Sequence, residues 1–278
     1  MEVEVFFKLF LEELRQDKEM RQYYKFLNDE KSFNFRKNYF IQRLSYIIDC
    51  IRKNRKPELN IWDCGCGYGT TCFFLAMNGY KVYGSTLEFY IDHIEKRKKY
   101  WSKYGDVELF QYDYKSLFEE SNVSRFDFII VQDTLHHLEP IEDALSIFRA
   151  SLADDGKLIG IEENGDNIIQ SLMLYKQRGN KRIITIWDDR LKKNILLGNE
   201  NIRGLSQWQK LFSDAKLPID KESIMYIRYY LPFYFKNKSD EFIRKEEHKL
   251  SVKSKIRKKY LFFGLNFVAS HEKKTGSR

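Results

Sequence analysis

Three stretches of this 278-residue chain carry residue types that can do chemistry. Asp63-Cys64-Gly65-Cys66-Gly67-Tyr68-Gly69-Thr70-Thr71 sets three glycines and two cysteines in nine residues. Gln132-Asp133-Thr134-Leu135-His136-His137 ends a hydrophobic run with an acid and two histidines, and Glu162-Glu163-Asn164 ends another with two carboxylates. Glycine admits positive φ and lets a ligand approach bare backbone. A histidine titrates near neutrality and suits proton transfer.

The glycine stretch admits several readings that its spacing separates. A structural metal needs a tetrahedral set, and Cys64, Cys66 and Cys72 have no second cysteine pair to complete one. A phosphate loop would close on Gly-Lys-Ser/Thr, which is absent. A nicotinamide fingerprint starting at Gly65 and Gly67 would need its third small residue at Thr70, and Gly69 falls one position early. What remains is a strand ending in an acid, then glycines, then a helix, an arrangement suited to a nucleoside.

The elements that must position these stretches follow a regular order. Helical spacing of Val5, Phe6, Leu9, Phe10 and Leu14 predicts a helix within 1–28, and a second is expected at 35–54. Strands are then expected near 59–64, 81–86, 106–113, 126–133 and 157–164, with helices at 70–80, 89–105 and 141–153 between them. Such alternation predicts an α/β fold, a Rossmann-like, seven-stranded, mostly parallel sheet with helices on both faces and a helical cap. Residues 1–56 are expected as N-terminal helices covering the site, 57–165 as the cofactor-binding core, and 166–204 as an insertion without clear internal order. Residues 205–278 complete the sheet, with final strands at 223–231 and 261–270 and a basic helical segment at 235–260.

The spacing apolar-apolar-Asp-x-Gly-x-Gly-x-Gly resembles the first motif of class I S-adenosylmethionine-dependent methyltransferases, and the likeness runs from about 59 to 164. It implies S-adenosyl-L-methionine as cofactor, with Asp63, Gly65, Gly67 and Gly69 in the loop around its methionine and ribose. Gln111-Tyr112-Asp113-Tyr114 resembles the family's adenine contact: Asp113 would accept from the exocyclic amine and Tyr114 would pack near the ring. The second strand departs from the pattern, because Thr86 stands where an acid usually binds the ribose. Gly84-Ser85-Thr86-Leu87 is similar to the corresponding segment of cyclopropane fatty acid synthases, so either Thr86 or Glu88 would serve the ribose. Gln132 and Asp133 would face the cofactor from the fourth strand, where Asp133 can equally cap the following turn.

The resemblance implies in-line displacement, O- or N-methylation, on a small-molecule acceptor. His136 or His137 would take the proton of an acceptor hydroxyl; the plainer alternative has one packing the next helix and the other at the surface. Tyr23, Tyr24, Tyr39, Trp187, Tyr229, Tyr230, Phe233 and Tyr234 are expected to supply an aromatic lid. The alternatives are a lipid-modifying relative of the cyclopropane synthases and a non-catalytic cofactor-binding scaffold.

Composition narrows the partners. The formal charge is +8, with the lysines and arginines spread among nearly as many acids. This reads as solubility plus one basic run, Arg244–Tyr260, and not as a nucleic-acid-binding surface. The N-terminus reads as an amphipathic, charge-rich helix, and no apolar run is long enough to span a bilayer. A cytoplasmic protein with reduced thiols and no stable membrane insertion is expected.

Overall fold

Phe128, Ile129, Ile130 and Val131 are all fully buried, so the strand carrying them needs cover on both faces, as in a parallel sheet. The computed structural model describes residues 1–87, 91–119, 125–189, 191–229 and 231–272. Its main sheet contains β1 (Asn60–Cys64), β2 (Lys81–Thr86), β3 (Phe110–Tyr114), β4 (Phe126–Gln132), β5 (Leu152–Glu163), β8 (Met225–Tyr229) and β9 (Phe262–Ser270), in the order β3-β2-β1-β4-β5-β9-β8. The first five strands are parallel; β9 runs antiparallel to both β5 and β8. The expected α/β architecture is the one observed.

The helices of the core alternate with these strands. They are α4 (Thr70–Ala76), α5 (Ile91–Trp101), α6 (Ile141–Ser151) and α8 (Leu205–Asp214). On one face of the sheet Phe73, Phe74, Trp101 and Phe110 pack with the N-terminal helices; on the other Trp62, Phe148, Trp208 and Phe212 pack together.

Strand order reverses between β1 and β4, and ligands of open α/β sheets sit at such a switch point beyond the carboxyl ends of the strands. The register pairs Cys64 with Val131. The glycine stretch and the two histidines, distant in sequence, therefore leave the sheet side by side.

The single N-terminal helix expected over 1–28 is two helices, α1 (Val3–Gln16) and α2 (Lys18–Tyr24). Asp17 breaks it: its backbone is extended, and its Oδ1 accepts from the N–H groups of Glu19 and Met20 at 2.9 and 3.0 Å. The long α3 (Phe33–Arg52) then crosses the site.

Residues 166–204, expected as an inserted cap of helical and strand-like pieces without clear order, form α7 (Ile168–Arg178) and an antiparallel hairpin of β6 (Ile183–Asp188) and β7 (Lys193–Gly198). A two-stranded ribbon buries little by itself, so its sequence lacks a clear alternation. It is tied down by a bridge between Leu138 and Leu197. The basic segment folds as α9 (Asp240–Lys253) and α10 (Lys255–Leu261). Buried Ile243 of α9 packs with Phe35, Tyr229, Phe235 and Phe262.

Candidate functional site

A cavity of ≈ 560 Å³ opens over the carboxyl ends of β1, β2 and β4, a size typical of sites that bury a small ligand. Its floor is the glycine stretch, where Gly65, Gly67 and Gly69 all have positive φ, at 82°, 51° and 73°. Gly65 is doubly required: a Cβ there would lie 2.3 Å from the Thr134 hydroxyl, and its N–H donates to the Ser85 carbonyl at 2.7 Å. Gly67 differs, because nothing lies within 4 Å of where its Cβ would stand. It lines the cavity, so the bare backbone faces open space that a ligand can fill.

Asp63 lies behind this floor and does not line the cavity. It is 2% exposed and accepts a hydrogen bond from the Cys72 thiol at 3.3 Å; burial pushes its carboxyl up to about 7. Gly69 also sits outside the lining, at the start of α4.

The loop is braced from the N-terminal helices. The Arg97 guanidinium, 2% exposed, makes a two-pronged pair with Glu13 of α1, each contact 2.8 Å. It also donates to the Tyr68 carbonyl at 2.6 Å and the Thr70 hydroxyl at 2.8 Å. Burial disfavours the charged guanidinium, yet the Glu13 carboxylate more than compensates and holds Arg97 protonated. Tyr24 of α2 reaches the same Thr70 hydroxyl at 2.6 Å.

On the opposite wall, Glu162 organises the turn after β4. Fully buried, its Oε1 accepts from the N–H groups of Thr134 and Leu135 at 2.9 and 2.7 Å, and its Oε2 from His136 Nδ1 at 2.6 Å. Burial alone would depress the His136 pKa, but the Glu162 carboxylate outweighs it and raises the imidazole to about 9. The pair with Glu162 thus favours the protonated imidazole. His137 is held differently: its Nδ1–H donates to the Gly198 carbonyl at 2.8 Å, which leaves Nε2 as the basic nitrogen. The two rings lie 4.2 Å apart and both line the cavity.

Asp133 takes a left-handed backbone, φ 51°, at the end of β4 and pairs with Arg43 of α3. Arg43, Arg36, Tyr39 and Phe40 recur at helical spacing along one face of α3 and all line the cavity. Glu163 sits behind them; burial, then the neighbouring Asp133, lifts its carboxyl to about 8.

The structure thus brings Gly65, Gly67, Thr86, Gln132, Asp133, His136 and His137 to one cavity. Asp113 is exposed and Tyr114 is directed elsewhere, its hydroxyl 3.2 Å from Asp188 of the hairpin. The next residues, Lys115 to Phe118, line the cavity in their place. Glu88 lies outside the described residues.

The aromatic lid is only partly as expected. Tyr23, Tyr24 and Tyr39 line the cavity; Trp187, Phe233 and Tyr234 are exposed, Tyr229 is buried elsewhere, and Tyr230 lies outside the described residues. Sequence reasoning missed Arg36, Arg43 and Arg228, and it did not single out Ile195, Leu196, Leu197 and Glu200 of the insertion, which form the roof. The 36, 39–40, 43 spacing was a usable signal for the first two.

Comparison with known proteins fits this arrangement. A family described as a methyltransferase domain matches residues 62–158. No curated protein matches the chain in sequence. Among solved structures, magnesium protoporphyrin IX methyltransferase from Synechocystis with bound SAH is similar at TM-score 0.51 and 16% identity, over 85% of this chain and 86% of that one. A putative S-adenosylmethionine-dependent methyltransferase from Listeria monocytogenes aligns at 0.52 and 14%, over 83% and 99%. Phosphoethanolamine N-methyltransferase 2 from Haemonchus contortus, in complex with S-adenosyl-L-methionine, aligns at 0.53 and 15%, over 82% and 52%.

Proposed function

We propose that this chain, which carries a class I S-adenosylmethionine-dependent methyltransferase domain, methylates a hydroxyl or amine of a small-molecule acceptor. The observation that carries the reading is the cavity itself, with bare Gly67 backbone on one wall and His136 and His137 on the other. Bound there, S-adenosyl-L-methionine supplies an electrophilic methyl on a sulfonium whose leaving group needs no acid.

The chain's own work is positioning, which can supply about 7–11 kcal/mol of a barrier. Gly65 and Gly67 keep the floor low, and Thr86 and Gln132 offer polar contacts along it. Tyr23, Tyr24, Tyr39 and Phe40 exclude water from the same space. For a hydroxyl acceptor, His137 Nε2 takes the proton as the oxygen attacks. His136, held cationic by Glu162, stabilises the negative charge that develops there.

The likeness of Gly84–Leu87 to cyclopropane fatty acid synthases supports a second reading, a lipid acceptor, since the Thr86 hydroxyl stands in the cavity where an acid is usual. Mass spectrometry of cofactor retained through purification, with calorimetry against S-adenosyl-L-methionine and its demethylated product, tests the shared premise. Micromolar binding of both, together with methyl transfer to any small acceptor, is expected. No heat with either compound would overturn the reading, and cofactor binding without turnover on any acceptor class would leave only a scaffold.

A further inference from the structure

The basic run near the C-terminus plays no part in the cavity: among the described residues, no lining side chain lies beyond Arg228. From residue 248 to 261 the chain reads HKLSVKSKIRKKYL, with six lysines and arginines and no acid. Of the acids on α9, three are engaged, and Glu241 stands exposed in its first turn, away from the run. Asp240 pairs with Lys37, Glu247 is buried against Gln42, and Glu246 lies 3.2 Å from Lys249. Lys253, Lys255 and Arg257 are exposed.

Beside this charge is an apolar face turned outward. On α7, Ile168, Leu172 and Tyr175 stand one turn apart and are 52%, 64% and 60% exposed. Val252 and Ile256, at the junction of α9 and α10, are each 71% exposed. The two groups adjoin, because the N-terminal end of α7 is bonded to the C-terminal end of α10. Asn167, which caps α7, donates to the Phe262 carbonyl at 3.1 Å, and Asn164 donates to the Lys259 carbonyl at 2.7 Å. The α7 sequence contains no acid either.

We infer that α7, the end of α9, and α10 form a docking surface for an anionic lipid membrane. Projecting aliphatic and tyrosine side chains enter the headgroup region while the surrounding lysines face lipid phosphates. The choice of occupant rests on the chemistry of the patch. Protein interfaces are depleted in lysine and enriched in arginine, and here five of the six cations are lysines. A nucleic acid would pair with the lysines but leave Leu172, Val252 and Ile256 in water. Among the described residues no helix is long and apolar enough to cross a membrane, so the association is peripheral. Because α7 leads directly into the hairpin, docking sets the cavity's roof beside the bilayer.

The test is sedimentation of the full chain with vesicles of phosphatidylcholine alone or with about 30% phosphatidylglycerol. The wild type is expected to co-sediment with the anionic vesicles only, and to be released at about 0.5 M NaCl. Leu172→Glu/Ile256→Glu is expected to weaken vesicle binding by about tenfold or more, with its melting temperature and cofactor affinity kept. Equal sedimentation with both vesicle types, or none with either, overturns the proposal. So does undiminished binding by the double variant, which would show attraction by charge alone. Self-association of the wild type that the double variant abolishes overturns it too, since the face would then be covered by a second copy.

Discussion

The two walls of the cavity are built by opposite means. The wall proposed for the cofactor is backbone: a loop with three left-handed glycines, Gly65, Gly67 and Gly69, closed by hydrogen bonds to the Ser85 carbonyl. The wall proposed for the acceptor is side chains from α2, α3, the turn after β4, the hairpin and β8, which meet only in three dimensions. Each wall leans on one buried ion pair, Glu13–Arg97 behind the loop and Glu162–His136 behind the histidines. The first pair fixes a shape, whereas the second fixes a shape and a charge. Damage to the loop should therefore appear in cofactor affinity and damage to the histidine turn in turnover.

The largest effect expected is at the floor. Gly65→Val, which needs a positive φ and drives a side chain into Thr134, should abolish cofactor binding measurable by calorimetry. Retention of affinity would show that the loop shape is not what binds. Arg97→Met comes next: it strands the Glu13 carboxylate in the interior, and loss of one partner of a buried pair costs about 3–5 kcal/mol. Thermal unfolding should report it, with weaker cofactor binding in the folded remainder.

His137→Asn sharpens the contrast from the other wall. It should lower kcat on a hydroxyl acceptor by about 10²-fold or more while cofactor affinity stays unchanged. Unaltered turnover would remove the base from the mechanism.

The charge on His136 predicts a pH dependence of stability. Its pKa rises from 6.5 unfolded to about 9 folded, so its stabilisation is complete below pH 6.5 and lost as pH rises through 9. Asp63 and Glu163, raised to about 7 and about 8, bend the profile the same way. The diagnostic is thus a difference: melting temperature should fall less between pH 6.5 and 9 in His136→Asn than in the wild type. The smallest effect belongs to Asp113→Ala. With its carboxylate exposed and outside the cavity, cofactor affinity should change by less than about twofold. A larger loss would return the adenine contact to Asp113.

The first wall was far more legible in the sequence than the second. Gly65, Gly67 and Gly69 announce their backbone directly, since the residue type and the conformation are nearly one fact. The alternation of apolar runs and helical repeats likewise gave the five parallel strands, because period and burial are local properties. Asp113, exposed and outside the cavity lining, shows the limit of motif reasoning: strand position alone does not say whether a side chain faces ligand or solvent. The pairing of the hairpin was not legible for a different reason, since His137 and Leu138 of a distant segment stabilise it and its own pattern does not.

The amino-acid sequence by itself determined the fold class, the nucleoside-type loop and the neighbourhood of the histidines, because each follows from contacts within a few residues. Tertiary structure alone decided that His136 pairs with a buried carboxylate while His137 donates to a backbone carbonyl. Their types are identical and they are adjacent in the chain. Only the partners differ: a carboxylate delivered from β5 and a carbonyl delivered from β7, each brought within 3 Å by the packing of the whole sheet and its cap.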